Sequence, residues 1–303
     1  MPPDSLNQLT ALLDPLDPAR FFAEHWERAP LHLRADGRRA RPLLTHEALF
    51  AALFAAGPPE GLVAFPEHLG RGALSAADLL ADRALFDAYI EAGHPLVCNR
   101  ARGLFPEVDA LSSALSEALG AHVWPNVYAS GHAGTPFDMH FDCHEVFAVH
   151  CEGDKDWTIS AVRVDRPLDA REMEGAVRAA LRARRDEAEA RPLLRFSVAP
   201  GDVVYIPRGQ FHNARTPRGR SLHVTFGVRQ LTGFDVARLL GNLALPDPAL
   251  REYLPPPAAD PGGERAAAQL DEIRAHLAAL LLGPELAAAV VEARRGAIDR
   301  SGY

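Results

Sequence analysis

The sequence predicts an α+β fold in which an antiparallel β region lies between two helical parts. Over residues 1–120 apolar residues recur mainly at helical spacing, and Asp17-Pro18 can begin a helix. Residues 121–232 contain short β-prone runs separated by Gly and Pro turns, which favours an antiparallel sandwich or barrel over a βαβ sheet. Residues 233–303 are rich in Ala and Leu and indicate helices again. We therefore expect three parts with these bounds.

Capping residues predict where helices of the first part begin and end. The Asp17 side chain can cap a helix that starts at the following proline, and Thr45 can cap another. Ser75-Ala76-Ala77-Asp78 resembles a capping box, in which the first and last side chains bond each other's backbone N–H. A helix from about Val108 should stop at Gly120.

The β region is predicted from runs rich in branched and aromatic residues. Six runs have this character: His122–Tyr128, Glu145–Cys151, Trp157–Val164, Leu194–Val198, Asp202–Ile206 and Ser221–Arg229. Glu152-Gly153-Asp154 between two of them is typical of a hairpin turn. The Ala-, Arg- and Glu-rich stretch near 168–190 indicates a helix inserted between strands, with its charges on a solvated face. In the first part, Pro95–Cys98 predicts a short strand.

Composition excludes several classes of protein. Of 303 residues 48% are hydrophobic, which is typical of a globular chain. The net charge of −8 argues against nucleic acid as a direct ligand. Three widely spaced cysteines form no disulfide framework, and no apolar run is long enough to cross a membrane. We expect a soluble, cytoplasmic protein.

Two histidines and an aspartate have the spacing of a metal site. His140-Phe141-Asp142 places an imidazole and a carboxylate two residues apart, so that both point to one face of a strand. His212 comes after a strand that ends in a Pro/Gly turn. Two His and one carboxylate form the facial triad that holds Fe(II) and leaves positions open for a bidentate cosubstrate and O₂. Because an isolated HxD is a weak signal, the distant His in a β-rich region is needed to support the prediction.

Lys155 is the single lysine among 32 basic residues. It follows the predicted hairpin turn and could begin the strand beside the one that carries the HxD motif. An ammonium there could pair with the far carboxylate of a dicarboxylic cosubstrate. The alternative is a solvated turn lysine. Since the chain otherwise uses arginine throughout, we favour the functional interpretation.

Together these motifs resemble the JmjC-type, cupin-fold Fe(II)/2-oxoglutarate oxygenases, in particular the ribosomal-oxygenase (cupin-4) branch. The resemblance covers most of the first 235 residues, beginning with Phe21–Leu31. Its motifs here are Asn126-Val127-Tyr128, His140-Phe141-Asp142, Glu145-Val146-Phe147, Glu152-Gly153-Asp154-Lys155, Gly201–His212 and Ser221-Leu222-His223-Val224-Thr225.

The resemblance implies a double-stranded β-helix (jelly-roll) core with Fe(II) held by His140, Asp142 and His212. It also implies 2-oxoglutarate as cosubstrate, bound through Lys155 with Asn126 and Tyr128 as supporting polar groups. The last motif would place Ser221 near the substrate. The implied activity is an O₂-dependent hydroxylation of a side chain of a protein or peptide, with release of succinate and CO₂.

The sequence departs from the family pattern at several positions. Val149-His150-Cys151 replaces an aliphatic-Gln stretch, and Cys143-His144 follows the HxD directly. His144 is either a polar group near the metal or a loop residue, and we favour the loop. Cys143 and Cys151 are plausible packing residues, although an oxidising iron nearby could also oxidise them. The helical stretch 233–303 is too short for both dimerisation helices and a winged helix, so we expect only a dimerisation segment, which puts a ribosomal substrate in doubt.

Other functions stay open at this point. The substrate could be a peptide natural product or a small molecule, since a fold does not settle a substrate. A metal-dependent cupin enzyme that does not use 2-oxoglutarate is a second alternative, against which Lys155, Asn126 and Tyr128 argue. A non-catalytic cupin-fold binding protein is a third, and it would not need the intact triad.

Overall fold

The protein folds into two compact units, with residues up to Arg229 in the first and Gln230–Arg300 in the second. The computed structural model describes residues 3–36, 42–64, 75–132, 137–168 and 184–300. The helices of residues 1–120 and the sheet of residues 121–229 share one hydrophobic core, so these two predicted parts form a single unit.

A seven-stranded antiparallel sheet forms the larger wall of the first unit. Its strands are β1 (Leu31–Leu33), β2 (Leu62–Ala64), β3 (Leu96–Cys98), β4 (His122–Gly131), β5 (Glu145–Glu152), β8 (Val203–Ile206) and β10 (Arg220–Arg229), in the spatial order β1-β8-β5-β10-β4-β3-β2. A second sheet of three strands has the order β7-β6-β9, formed by β6 (Lys155–Arg163), β7 (Pro192–Val198) and β9 (Gln210–Arg215). The chain crosses from one sheet to the other between β5 and β6, β7 and β8, β8 and β9, and β9 and β10, and such crossings are typical of a jelly roll.

Alternation along the central strands separates a packing face from a cavity face. On β4, Val123, Val127 and Ala129 are buried in the main core, whereas the intervening even-numbered side chains point the other way. On β10, Val224 and Phe226 belong to the same core. One face of the large sheet therefore packs on the apolar core, and the opposite face carries polar side chains.

Helices of the first unit cover the packing face. They are α1 (Pro3–Leu13), α2 (Pro18–Glu24), α3 (His46–Ala56), α4 (Ala76–Ala81), α5 (Arg83–Glu91) and α6 (Pro106–Leu119). The predicted caps are confirmed: Asp17 accepts from the N–H of Ala19 and Arg20, Thr45 caps α3, and Gly120 ends α6 in a left-handed conformation. Ser75 and Asp78 form the predicted capping box.

The structure contains strands that the sequence reading missed. β1 and β2 have three residues each, which is too short for a period-two pattern to identify them. The sequence predicts only a turn before His212, whereas residues 210–215 form β9 and His212 lies on it. Of the predicted insertion near 168–190, residues 169–183 lie outside the described part, and residues 184–190 are helical.

The second unit consists of helices, as the sequence predicted. They are α7 (Gly233–Ala244), α8 (Glu264–Leu282) and α9 (Pro284–Arg300), with short 3-10 turns at Ala249–Arg251 and Pro257–Ala259. Among the described residues no single helix is both long and apolar enough to cross a bilayer. Only the pair Glu264–Leu282 and Pro284–Ala297, bent by 55°, reaches that length and composition when counted together.

The hairpin turn before Lys155 requires a glycine. Gly153 has φ 73°, and a Cβ there would collide with the backbone carbonyl of Arg220 on β10. We predict that Gly153→Ala lowers the free energy of unfolding by about 2–4 kcal/mol, from left-handed strain plus the collision. Urea unfolding followed by circular dichroism measures this change.

Gly103→Ala is the matched control for the hairpin. Gly103 has a similar φ of 78° but nothing lies within 4 Å of the Cβ position. We expect it to lose only about 1–2 kcal/mol. Equal losses in the two variants would show that the close approach to β10 does not constrain the turn.

Candidate metal centre and adjoining cavity

His140, Asp142 and His212 come together as the sequence predicted. One ligand atom from each residue lies within 4.8 Å of the other two. Backbone bonds fix this arrangement, because the N–H of His140 donates to the carbonyl of His212 at 3.1 Å and the reverse bond is 2.7 Å long. Gly209, in the turn before β9, donates its N–H to the carbonyl of Asp142 at 2.7 Å. Hydrogen bonds from β9 and from the turn before it therefore hold the segment that carries His140 and Asp142.

The two imidazoles are oriented for metal binding. The Nδ1 of His140 lies 2.8 Å from the carbonyl oxygen of Asp138, and the Nδ1 of His212 lies 2.9 Å from that of Gln210. A carbonyl can only accept, so each Nδ1 carries the proton and each Nε2 keeps its lone pair. The donor set of two neutral nitrogens and one carboxylate fits a divalent iron ion.

Electrostatics keep this group in the form that binds a cation. Burial lowers the pKa of His212 to about 4, so the ring is neutral near pH 7. Burial alone would raise the pKa of Asp142, but the nearby imidazoles of His144, His140 and His212 outweigh burial and lower it. The carboxylate is therefore ionised and the histidine is not, as metal coordination requires.

The group opens on a cavity of about 170 Å³ between the two sheets. Side chains from β4, β6, β9 and β10 line it, together with residues before and in β5. They are Asn126, Tyr128, Ser130, Phe137, His140, Asp142, His144, Val146, Lys155, Trp157, His212, Ala214, His223 and Thr225. The cavity thus joins the predicted metal ligands to the predicted cosubstrate residues.

Lys155 lies in this cavity with neutral partners. Its side chain is 2% exposed, and Nζ lies 3.1 Å from Ser130 Oγ and 2.8 Å from His223 Nδ1. Burial lowers its pKa to about 7, and no carboxylate among the described residues opposes this shift. Burial and the Lys155 charge both lower the pKa of His223, which is therefore a neutral acceptor. The Lys155 ammonium therefore has no anionic partner among the described residues.

Asn126 and Tyr128 share the cavity face of β4, because they lie two residues apart on one strand. Asn126 Oδ1 accepts from the backbone N–H of Arg100 at 2.9 Å, and the ring of Tyr128 stacks on that of His223 at 4.7 Å. Burial, and next the charge of Asp142, raise the pKa of Tyr128 to about 12, so that its hydroxyl stays protonated. Both residues can therefore offer a hydrogen bond beside the metal ligands.

Ser221 does not join the residues that line the cavity. It is fully buried, and its hydroxyl pairs with that of Thr216 at 2.8 Å. The structure therefore gives no support to its assignment near the substrate. His144 needs the opposite correction: although it lies in a bend before β5, its ring lines the cavity beside Asp142.

Sequence reasoning missed Ser130 and His223, the partners of Lys155. Both lie in register beside residues that were singled out, because His223 pairs with Tyr128 and Ser221 pairs with Ser130. Once β4 and β10 are aligned, parity places His223 and Thr225 on the cavity face. His150 stands where the family usually has a glutamine. Its Nε2 lies 2.8 Å from the carbonyl oxygen of Gly153, and this contact supports the turn before Lys155.

Residues 103–236 of the chain match the sequence profile of the JmjC domain family. Among curated proteins it is 25% identical to ribosomal oxygenase 2 of Bos taurus over 265 residues, 81% of this chain and 54% of that one. It is 28% identical to ribosomal oxygenase 1 of Rattus norvegicus, over 72% of this chain and 36% of that one. The chain thus spans about half or less of the length of these relatives.

A further relative is the bifunctional lysine-specific demethylase and histidyl-hydroxylase NO66 of Drosophila mojavensis. The identity is 26%, over 73% of this chain and 25% of that one. Among solved structures, YcfD, a ribosomal oxygenase from Escherichia coli in complex with cobalt and 2-oxoglutarate, superposes with a TM-score of 0.60. The superposition covers 90% of this chain and 68% of that one at 16% identity, and it confirms the predicted JmjC cupin fold.

Burial of Lys155 predicts a stability that depends on pH. The pKa of its ammonium is about 7 in the folded chain and 10.5 when solvated, so the unfolded chain binds more protons between these values. Stability should rise with pH through that window, and the cost of burying the charge is greatest below pH 7. We predict that Lys155→Met is more stable than the parent chain at pH 6, by roughly 2–5 kcal/mol.

The comparison uses urea unfolding of the metal-free protein at pH 6 and pH 9.5. The advantage of Lys155→Met should shrink at the higher pH. Arg195→Met, which removes an exposed cation from β7, should show no such trend. An advantage of the same size at both pH values, or none at either, would contradict a buried and desolvated ammonium.

Proposed function

We propose that the chain is an Fe(II)- and 2-oxoglutarate-dependent oxygenase that hydroxylates a side chain of a protein or peptide. One observation carries this proposal: a ligand group of two His and one carboxylate opens on a cavity that contains a buried lysine with no carboxylate partner among the described residues. The chemistry of YcfD, which binds cobalt and 2-oxoglutarate, supports the assignment by its similar fold.

Lys155 would recognise the far carboxylate of the cosubstrate. Ser130 and His223 already orient its Nζ, so little side-chain freedom is lost on binding. A carboxylate next to Nζ favours the charged form of the lysine and removes the cost of burying it unpaired. A cupin enzyme without a dicarboxylic cosubstrate would have no use for this cation.

The remaining cavity residues orient the reactants and exclude water. When bound, Fe(II) activates O₂ so that 2-oxoglutarate is oxidised to succinate and CO₂ while a substrate C–H becomes C–OH. Asn126 and Tyr128 offer neutral hydrogen bonds beside the ligands, and Trp157 and Val146 supply apolar walls. A cavity of this size between the two sheets limits the oxidation to the group that enters it.

A protein substrate agrees with the activities for which the relatives are named. Several are ribosomal oxygenases, and NO66 is described as a histidyl-hydroxylase. We therefore propose a ribosomal protein as the first substrate to test. We further propose that the protein acts in the cytoplasm.

Loss of a metal ligand should abolish turnover. We predict that Asp142→Ala lowers succinate formation from 2-oxoglutarate more than about 100-fold, in the presence of Fe(II), ascorbate and ribosomal protein extract. Asp165→Ala, which removes an exposed carboxylate from the same sheet region, is the matched control and should retain the parent rate. Full turnover by Asp142→Ala would disprove the assigned metal centre.

We also propose that the second unit joins two copies of the chain. Within Gln230–Ala297 only Leu286 and Ala297 have buried side chains, whereas Leu281 and Leu282 are 55% and 85% exposed. A helical unit with so little buried apolar surface gains stability when a second copy covers it.

The oligomeric state tests this second proposal. Light scattering after gel filtration should give the mass of two chains for the parent protein. The double variant Leu281→Asp and Leu282→Asp should shift it to one chain, because charges at the covered face are costly. Leu193→Asp, at an exposed leucine of β7, should leave the mass unchanged. A parent protein of one-chain mass would contradict the proposal.

A further inference from the structure

Three flat side chains form a row at one end of the cavity. His122 and Trp124 lie on β4 with ring centroids 5.1 Å apart, and the ring of His144 lies 4.6 Å from that of Trp124. We call these three residues the aromatic strip. His144 lines the cavity, and the other two are partly exposed, so the strip leads from the cavity to the surface.

Gly227 on β10 makes room for the strip. It pairs in register with Trp124, and a Cβ at this position would lie 2.6 Å from the imidazole of His144 and 2.6 Å from the indole of Trp124. The neighbouring inward positions of the same strand carry His223 and Thr225. The strip is therefore seated in a gap that any side chain at residue 227 would close.

The strip lies away from the proposed cosubstrate end. Along β4, Lys155 contacts Ser130, which is six residues from Trp124, or about 20 Å along an extended strand. Asp142 is two residues from His144, whose ring contacts Trp124, whereas Lys155 contacts Ser130 at the other end of β4. A five-carbon cosubstrate that runs from the metal ligands to Lys155 therefore extends away from the strip.

We propose that the aromatic strip binds a planar side chain of the peptide substrate, and so determines which sequences reach the metal centre. The inference rests on the proposed function and adds the class of side chain that the substrate must carry. Flat rings offer stacking to aromatic, imidazole or guanidinium groups, and each such contact contributes about 0.5–1.5 kcal/mol. An aliphatic or acidic side chain gains no comparable contact.

Fluorine NMR can observe the two ends of the cavity separately. The chain has three tryptophans, Trp26, Trp124 and Trp157, and single Trp→Phe variants assign their signals after 5-fluorotryptophan labelling. Addition of Zn(II) and 2-oxoglutarate, which cannot turn over, should shift the Trp157 signal, because Trp157 lines the cavity 6.1 Å from the His212 ring. The Trp124 signal should stay in place.

Peptides then probe the strip in the same sample. Gly-Gly-X-Gly-Gly with Phe, His or Arg as X should shift the Trp124 signal in a saturable manner, and the peptides with Leu or Glu should bind about five- to tenfold more weakly. Equal shifts with all five peptides, or none with any, would overturn the inference. Failure of the Trp157 response would instead count against the proposed cosubstrate site.

Substitutions separate recognition from simple unfolding. His144→Ala should weaken binding of the Phe peptide about five- to tenfold, and His144→Phe, which keeps a flat ring, should restore it. Gly227→Ala should weaken it too, because its Cβ would displace both rings. In each variant the Trp157 response to 2-oxoglutarate reports that the cavity is intact. Unchanged peptide affinity in His144→Ala with that response retained would contradict the role of the strip.

Discussion

The buried ammonium of Lys155 is the interaction on which the site depends. Desolvation of a cation is costly, and here Ser130 and His223 supply only neutral hydrogen-bond partners. A chain selected for stability alone would place an apolar residue at this position. Under the proposed function, this lysine makes one end of the cavity an anion site, and the metal ligands at the other end orient the same anion.

The fold supports this polar cavity because each central strand has one face packed on the core and one face turned to the cavity. Side chains such as Val127 and Phe226 bury one face of the large sheet under the helices, while Tyr128 and Thr225 face the cavity. Rigid strands on a well-packed core hold polar side chains in place without loops that would have to order on binding. The same rigid strands hold the metal ligands, since backbone hydrogen bonds join His140 to His212 on β9.

Much of the site could be predicted from the sequence, because its residues follow local rules. The HxD spacing pointed to the predicted metal ligands, the family resemblance to Asn126 and Tyr128, and composition to Lys155. His223 could not be found without the pairing of β4 with β10, which is a non-local property. His144 was assigned to a loop, and it is in one, but parity gives no direction for a side chain outside a strand. The assignment of Ser221 rests on the motif alone, and the structure pairs its hydroxyl with Thr216 outside the residues that line the cavity.

A crystal structure of the Zn(II) and 2-oxoglutarate complex tests the central claim most directly. The account predicts that the far carboxylate lies within hydrogen-bonding distance of Lys155 Nζ and that the keto-acid end meets the metal held by His140, Asp142 and His212. A cosubstrate whose far carboxylate binds elsewhere, with Lys155 still paired only to Ser130 and His223, would contradict it.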